Sequence, residues 1–182
     1  MIRKYALFRV FEGLRNSGQK ESVRSLARKA NVGVATAKRC FDYLLEKGLV
    51  KREILGRLYQ YKLNEESLLM RQLKIAMSIA ELEEAGLVKE LLATHPEITS
   101  IVLFGSAANG SDMPKSDIDI LIISRKELKM KPLHAERALK KEVAIVKYLY
   151  SEWRKKAEND KAFYDRIIVE GIPLYGEMPV VR

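Results

Sequence analysis

Two aspartates, Asp117 and Asp119, stand one residue apart at the head of an apolar run, Asp117-Ile-Asp-Ile-Leu-Ile-Ile123. About ten residues upstream, Gly105-Ser106 closes a second apolar run, Ile101-Val-Leu-Phe104. Side chains alternate across a strand, so both carboxylates share one face while Ile118 and Ile120 take the other. Two ionised carboxylates a few Å apart repel, and such a pair calls for a cation. Carboxylate oxygens are hard ligands that favour Mg²⁺ or Mn²⁺. A Gly-Ser turn that opens a helical turn offers backbone N–H groups and a hydroxyl to an anion. Together the two halves make a metal–phosphate site suited to in-line attack on phosphorus. Either half alone is common on ordinary surfaces. The specificity lies in finding both, each tied to a hydrophobic strand.

The elements that must position these groups follow from the pattern. Ile101–Phe104 reads as a buried strand, Ala107-Ala108-Asn109 as one helical turn ended by Gly110, and the stretch around Pro114 as a polar loop. A second strand is expected to start at Asp117. A helix from Leu87 to Ala93 stops before Pro96. After Glu127–Pro132 comes a basic helix from Leu133 to Lys141, then a strand over 143–149. Trp153 and the charged run Arg154–Asp160 read as a surface loop or helix start. A last helix spans Ala162–Glu170, with Phe163, Ile167 and Ile168 inward.

Phe104-Gly-Ser106 with Ser116-Asp-Ile-Asp-Ile120 resembles the DNA polymerase beta superfamily of nucleotidyltransferases. It looks most like the minimal, single-domain type found in antitoxins and archaeal proteins. The resemblance covers about residues 84–176, including the ending Ile168-Val-Glu-Gly-Ile-Pro-Leu-Tyr-Gly176. It implies a short mixed sheet flanked by helices. It also implies catalytic, metal-binding roles for Asp117 and Asp119, and Gly105 and Ser106 on the phosphates of a nucleoside triphosphate. Asn109 departs from the family's usual Arg or Lys. The family's third carboxylate, carried on a later strand, would fall at Ala144. Glu142 shares that face but lies one strand repeat away, about 6–7 Å. A catalytic role for Glu142 and a merely solvated charge both stay open.

The 182 residues suffice for one medium or two small domains. No run is long enough to cross a membrane and no signal peptide is evident, so a cytoplasmic protein is expected. The single cysteine, Cys40, excludes an internal disulfide and reads as a small core residue. His95 and His134 lie in no metal-ligand spacing and suggest solvated or capping roles. The net charge of +9 is unevenly placed. Residues 1–64 hold 15 Lys/Arg and 5 Asp/Glu, whereas the remainder holds 18 and 19. A basic block beside a neutral remainder points to a separate polyanion-binding unit.

Within residues 1–64, three amphipathic helices are expected: from Tyr5 to about Ser17, from Ser22 to Ala30, and from Val34 to Lys47. The turn Asn31-Val32-Gly33 precedes the third, and Gly48 closes it. A hairpin over Leu49–Ile54 and Arg57–Leu63 follows. Ser25–Val32 with Thr36–Val50 resembles the winged helix-turn-helix family, which implies that the third helix enters the major groove of double-stranded DNA. Ala35, Thr36, Lys38 and Arg39 would face DNA from that helix, and Arg52, Arg57 and Tyr59 from the wing. Winged helices also serve as protein-interaction or dimerisation modules. Residues 65–83 form an apolar connector helix, and a homodimer is expected. The expected fold class is thus α+β: a winged helix (1–64), the connector, and a nucleotidyltransferase-like domain (84–182). The expected function is a DNA-binding transcriptional regulator whose second domain binds a metal–nucleotide. The alternative is an active Mg²⁺-dependent nucleotidyltransferase acting on a protein, RNA or small-molecule hydroxyl, with a toxin as a further partner if it serves as an antitoxin.

Overall fold

The computed structural model describes residues 4–56 and 58–181, and the chain divides into two compact units, Met1–Met77 and Ser78–Arg182. The first unit contains α1 (Ala6–Ser17), β1 (Glu21–Ser22), α2 (Val23–Lys29), α3 (Val34–Glu46), β2 (Val50–Leu55) and β3 (Leu58–Leu63). Ser22 caps α2, its hydroxyl accepting the Ser25 N–H at 3.2 Å. Val10, Phe11, Leu14, Leu26, Ala37, Phe41 and Leu44 bury the inner faces of the helices, and Phe41 stacks on Tyr61 of β3 with centroids 4.2 Å apart. The hairpin pairs antiparallel from Val50↔Leu63 to Leu55↔Leu58. The two-residue β1 adds a third strand, giving the order β1-β3-β2. Cys40 packs half-buried against this core, and burial pushes its thiol pKa up.

After β3 in chain order comes α4 (Leu68–Ala85), three residues later at its start than the expected connector. Asn64–Ser67 instead form a turn in which the Ser67 hydroxyl accepts the Met70 N–H at 3.3 Å.

The second unit continues with α5 (Leu87–Thr94), β4 (Ile98–Phe104), α6 (Gly105–Asn109), β5 (Ile118–Ser124), α7 (His134–Leu139), β6 (Val143–Leu149), α8 (Tyr150–Asn159), α9 (Lys161–Glu170) and β7 (Ile172–Gly176). Its four-stranded sheet has the order β6-β5-β4-β7. The β5–β6 pair is parallel and the other pairs are antiparallel. One face carries Ile101, Leu103, Ile118, Ile120 and Ile122 with α5 and α7 residues, and the other carries Val102, Leu121 and Ile123 with Trp153 and Ile167. Nine helices and two sheets among the described residues make a mixed α+β protein. No described helix is long and apolar enough to cross a membrane.

Several expectations require correction. The acid strand begins at Ile118, not Asp117, because the ladder to β6 starts there. The basic helix is shorter than 133–141, ending where Lys140 adopts a left-handed φ of 54°. Of the two readings of Trp153 and the charged run, the helix holds: they fall in α8 up to Asn159, but Trp153 is fully buried and its Nε1–H donates to the Pro179 carbonyl at 2.7 Å.

His134, expected to be solvated or capping, tops α7 beside a carboxylate from another helix. Glu90 of α5 accepts the backbone N–H groups of His134 at 2.8 Å and Ala135 at 2.9 Å, and meets His134 Nδ1 at 2.9 Å. Its pKa is lowered, first by the His134 backbone bond, against an opposing desolvation. A depressed folded pKa contributes stability above the unfolded value, near 4.3 for a model Glu carboxyl, and loses it as pH falls through the folded value. Glu90→Ala should therefore cost about 1 kcal/mol at neutral pH, as for other lost helix caps. Denaturant unfolding across the acid range should show a flatter pH dependence for the variant than for the wild type.

Candidate functional site

The antiparallel register sets Phe104 opposite Asp119, so the chain turns at Gly105 directly beside that carboxylate. Gly105 has φ 70°, and a Cβ placed on it would overlap Asp119 Oδ2 and approach Cγ to 2.9 Å. Glycine is required twice over, for the left-handed backbone and for the space the carboxylate occupies. Ser106 follows in the first turn of α6, half-buried, and Gly110 closes α6 with φ 75°. The expected juxtaposition of Gly105-Ser106 with Asp119 is present.

Asp117 is exposed and immediately precedes β5, whereas Asp119 is half-buried. The Asp119 carboxyl is pushed above the usual range, first by burial and then by the charge of Asp117. Two hard carboxylates, one partly desolvated by its surroundings, are donors that would suit a divalent cation.

The parallel register pairs Asp119 with Ala144. The first ladder bond runs from the Ile118 N–H to the Glu142 carbonyl at 2.9 Å, so Glu142 lies level with Asp117, and its side chain is exposed. Among the described residues no group of three or more His, Cys, Asp or Glu converges to hold a metal. Asn109, where the family pattern has a cation, spends its side-chain oxygen on the Ser111 N–H at 3.0 Å and the Ser111 hydroxyl at 2.7 Å.

In the first unit, Ala35, Thr36, Lys38 and Arg39 lie together on α3, with Ala35 and Arg39 exposed and Thr36 half-buried. Lys38 is bonded to Asp42 one turn on. Arg52 of β2 lies 4.8 Å over the Tyr59 ring of β3. Arg57 falls outside the described residues. Acid partners that the sequence gave no sign of also occupy this unit: Lys20 and Lys62 both bond Glu53, pulling its carboxyl down to about 2.

A mixed sheet presenting one aspartate on a strand and another just before it, beside a Gly-Ser turn, has the architecture of a nucleotidyltransferase. The Polymerase beta, Nucleotidyltransferase family matches residues 87–178, just over half of the chain, and the chain belongs to that family. No curated protein matches it. Among solved structures, the toxin-antitoxin MntA-HpeT, in a variant form, is 22% identical with TM-score 0.39, over 52% of this chain and 73% of that one. A toxin-antitoxin structure with AMP-PNP is 24% identical with TM-score 0.39, over 52% and 73%. A protein from Sulfolobus solfataricus described as a nucleotidyltransferase is 16% identical with TM-score 0.36, over 59% and 87%. Likenesses this low transfer neither substrate nor partner.

The crowded carboxylates make a stability prediction. A carboxyl whose folded pKa lies above its unfolded value costs stability once pH exceeds the unfolded value. Asp119→Asn removes that cost. In chelator, at neutral pH, the variant should melt a few degrees above the wild type by calorimetry, as for other substitutions that relieve functional strain. The gap should close below about pH 4, where the wild-type carboxyl is protonated in both states.

Proposed function

We propose that the second unit binds a divalent cation, Mg²⁺ or Mn²⁺, with a nucleoside triphosphate, and transfers the nucleotidyl group to a hydroxyl. The observation that carries this reading is the contact of the Gly105 turn with the Asp119 carboxylate, with Asp117 one strand step away. Asp117 and Asp119 would hold the metal, and the Gly105-Ser106 turn would receive the phosphates through its N–H groups and the Ser106 hydroxyl. The bound cation supplies Lewis-acid stabilisation of the attacking and leaving oxygens. The hydroxyl oxygen attacks the α-phosphorus, pyrophosphate leaves, and the hydroxyl proton passes to solvent or to a base on the acceptor, since Ala144 stands where a third acid would take it. Transfer of α-labelled nucleotide, and calorimetric nucleotide binding with Mg²⁺, test the reading. Asp117→Asn/Asp119→Asn should lower transfer by about 100-fold or more and abolish metal-dependent binding. Equal labelling by wild type and double variant would defeat it.

A second reading concerns residues 1–64. Their concentrated charge favours a winged helix-turn-helix that binds double-stranded DNA through α3 and the β2–β3 hairpin, within a homodimeric transcriptional regulator tuned by nucleotide. An antitoxin role, with a toxin as partner of the second unit, is compatible with either reading. Lys38→Ala/Arg39→Ala should weaken duplex binding about tenfold or more and flatten the log K against log salt slope by about two. Anisotropy titrations at several salt concentrations read both quantities.

A further inference from the structure

The loop that carries Asp117 contains a buried charge that the chemistry above does not use. Asp112, two residues after Gly110, is 2% exposed in its side chain, and Lys141 Nζ lies 3.8 Å from its Oδ2, with the Lys141 side chain 13% exposed. Removing a carboxylate and an ammonium from water is expensive and is offset only by close pairing, so breaking one partner of such a pair leaves a costly buried charge. Lys141 directly precedes Glu142, whose carbonyl accepts the Ile118 N–H at 2.9 Å. The pair therefore spans from the Gly110–Asp117 loop to the start of β6, beside the rung next to Asp117.

Inside that loop the hydrogen bonds are local. The Ser116 hydroxyl accepts the Met113 N–H at 2.9 Å, the Ser116 N–H donates to the Met113 carbonyl at 2.9 Å, and Ser111 is tied to Asn109 and Ser106. Those bonds shape the loop from within. Asp117, exposed and outside the strand, has its backbone set by the loop on one side and by the Ile118 rung on the other.

We propose that Asp112 and Lys141 are positioning residues that moor the loop to β6 and so fix the Asp117 carboxylate at the distance from Asp119 that a divalent cation needs. This role rests on the metal reading of Asp117 and Asp119 given above. Groups that orient metal ligands from behind typically affect metal affinity by about 10–100-fold.

Mn²⁺ binding to the full chain, followed by electron paramagnetic resonance, tests the role alongside circular dichroism for folded fraction. Asp112→Asn and Lys141→Met should each raise the Mn²⁺ Kd about tenfold or more, whereas Lys141→Arg should stay near wild type. In an Asp117→Asn background, Asp112→Asn should add nothing further, because its effect runs through Asp117. Wild-type affinity in folded Asp112→Asn or Lys141→Met protein overturns the role. So does a full additive loss on top of Asp117→Asn, or a loss that merely tracks the unfolded fraction. Should Asp112→Asn fail to fold, the Lys141→Met and Lys141→Arg pair decides. A wild type that takes up no Mn²⁺ overturns the metal reading itself and this role with it. Mn²⁺ uptake that Asp112 and Lys141 leave untouched overturns this role alone.

Discussion

Everything at the site depends on holding two like charges close together at the edge of an apolar sheet. Left to themselves, Asp117 and Asp119 would separate or one would protonate. The sheet fixes one of the two, Asp119. Ile118, Ile120 and Ile122 are locked into one core, and Leu121 and Ile123 into the other. A strand buried on both faces resists slipping by one residue, since a slip would exchange every side chain between faces and carry Asp119 into the isoleucine core. Burial first, and the charge of Asp117 second, then raise the Asp119 pKa. Gly105 is a consequence of the same constraint, because the carboxylate, held where it is, takes the space a Cβ would need.

What could be read from the sequence was what leaves a period or a run. Ile101–Phe104, the apolar tail after Asp119, and Val143–Leu149 are continuous enough to announce buried strands, and their register then follows from the pairing. The Gly105-Ser106 turn and the acids were legible because each adjoins such a run. Elements built on a single anchor were not. In α8 one tryptophan among charged residues supplies the whole inward face, and its depth depends on the Pro179 carbonyl and on Tyr148, Phe163 and Tyr164 brought from elsewhere in the chain. β1, at two residues, is too short to show alternation, and it exists because β3 offers it an edge. Asp112, set among polar loop residues, reads as solvated, and only tertiary packing buries it.

The connector helix shows how a correct pattern can conceal its cause. Its apolar residues run nearly all round, which calls for burial, between the domains or against a second copy. In α4, Met70, Leu73 and Met77 belong to the core of the first unit, whereas Ile79, Leu82 and Ala85 belong to that of the second. Two different stripes, each serving its own core along half of the helix, add up to one that looks apolar on every side. Ala76, between them, is exposed. The two cores account for these residues, whereas Leu68 and Leu69 at the start of α4 are exposed.

The positive charge of the first unit poses a separate question, because much of it is paired. Lys29 meets Glu21, Lys38 meets Asp42, Lys51 meets Glu66 at 2.8 Å, and Glu53 takes both Lys20 and Lys62. Of these acids only Glu21 is buried. Exposed ion pairs contribute little in water and are readily exchanged. Glu53 differs in having two lysines at once, which pull its carboxyl down to about 2. Much of the formal positive charge of the first unit is therefore already matched by acids within it.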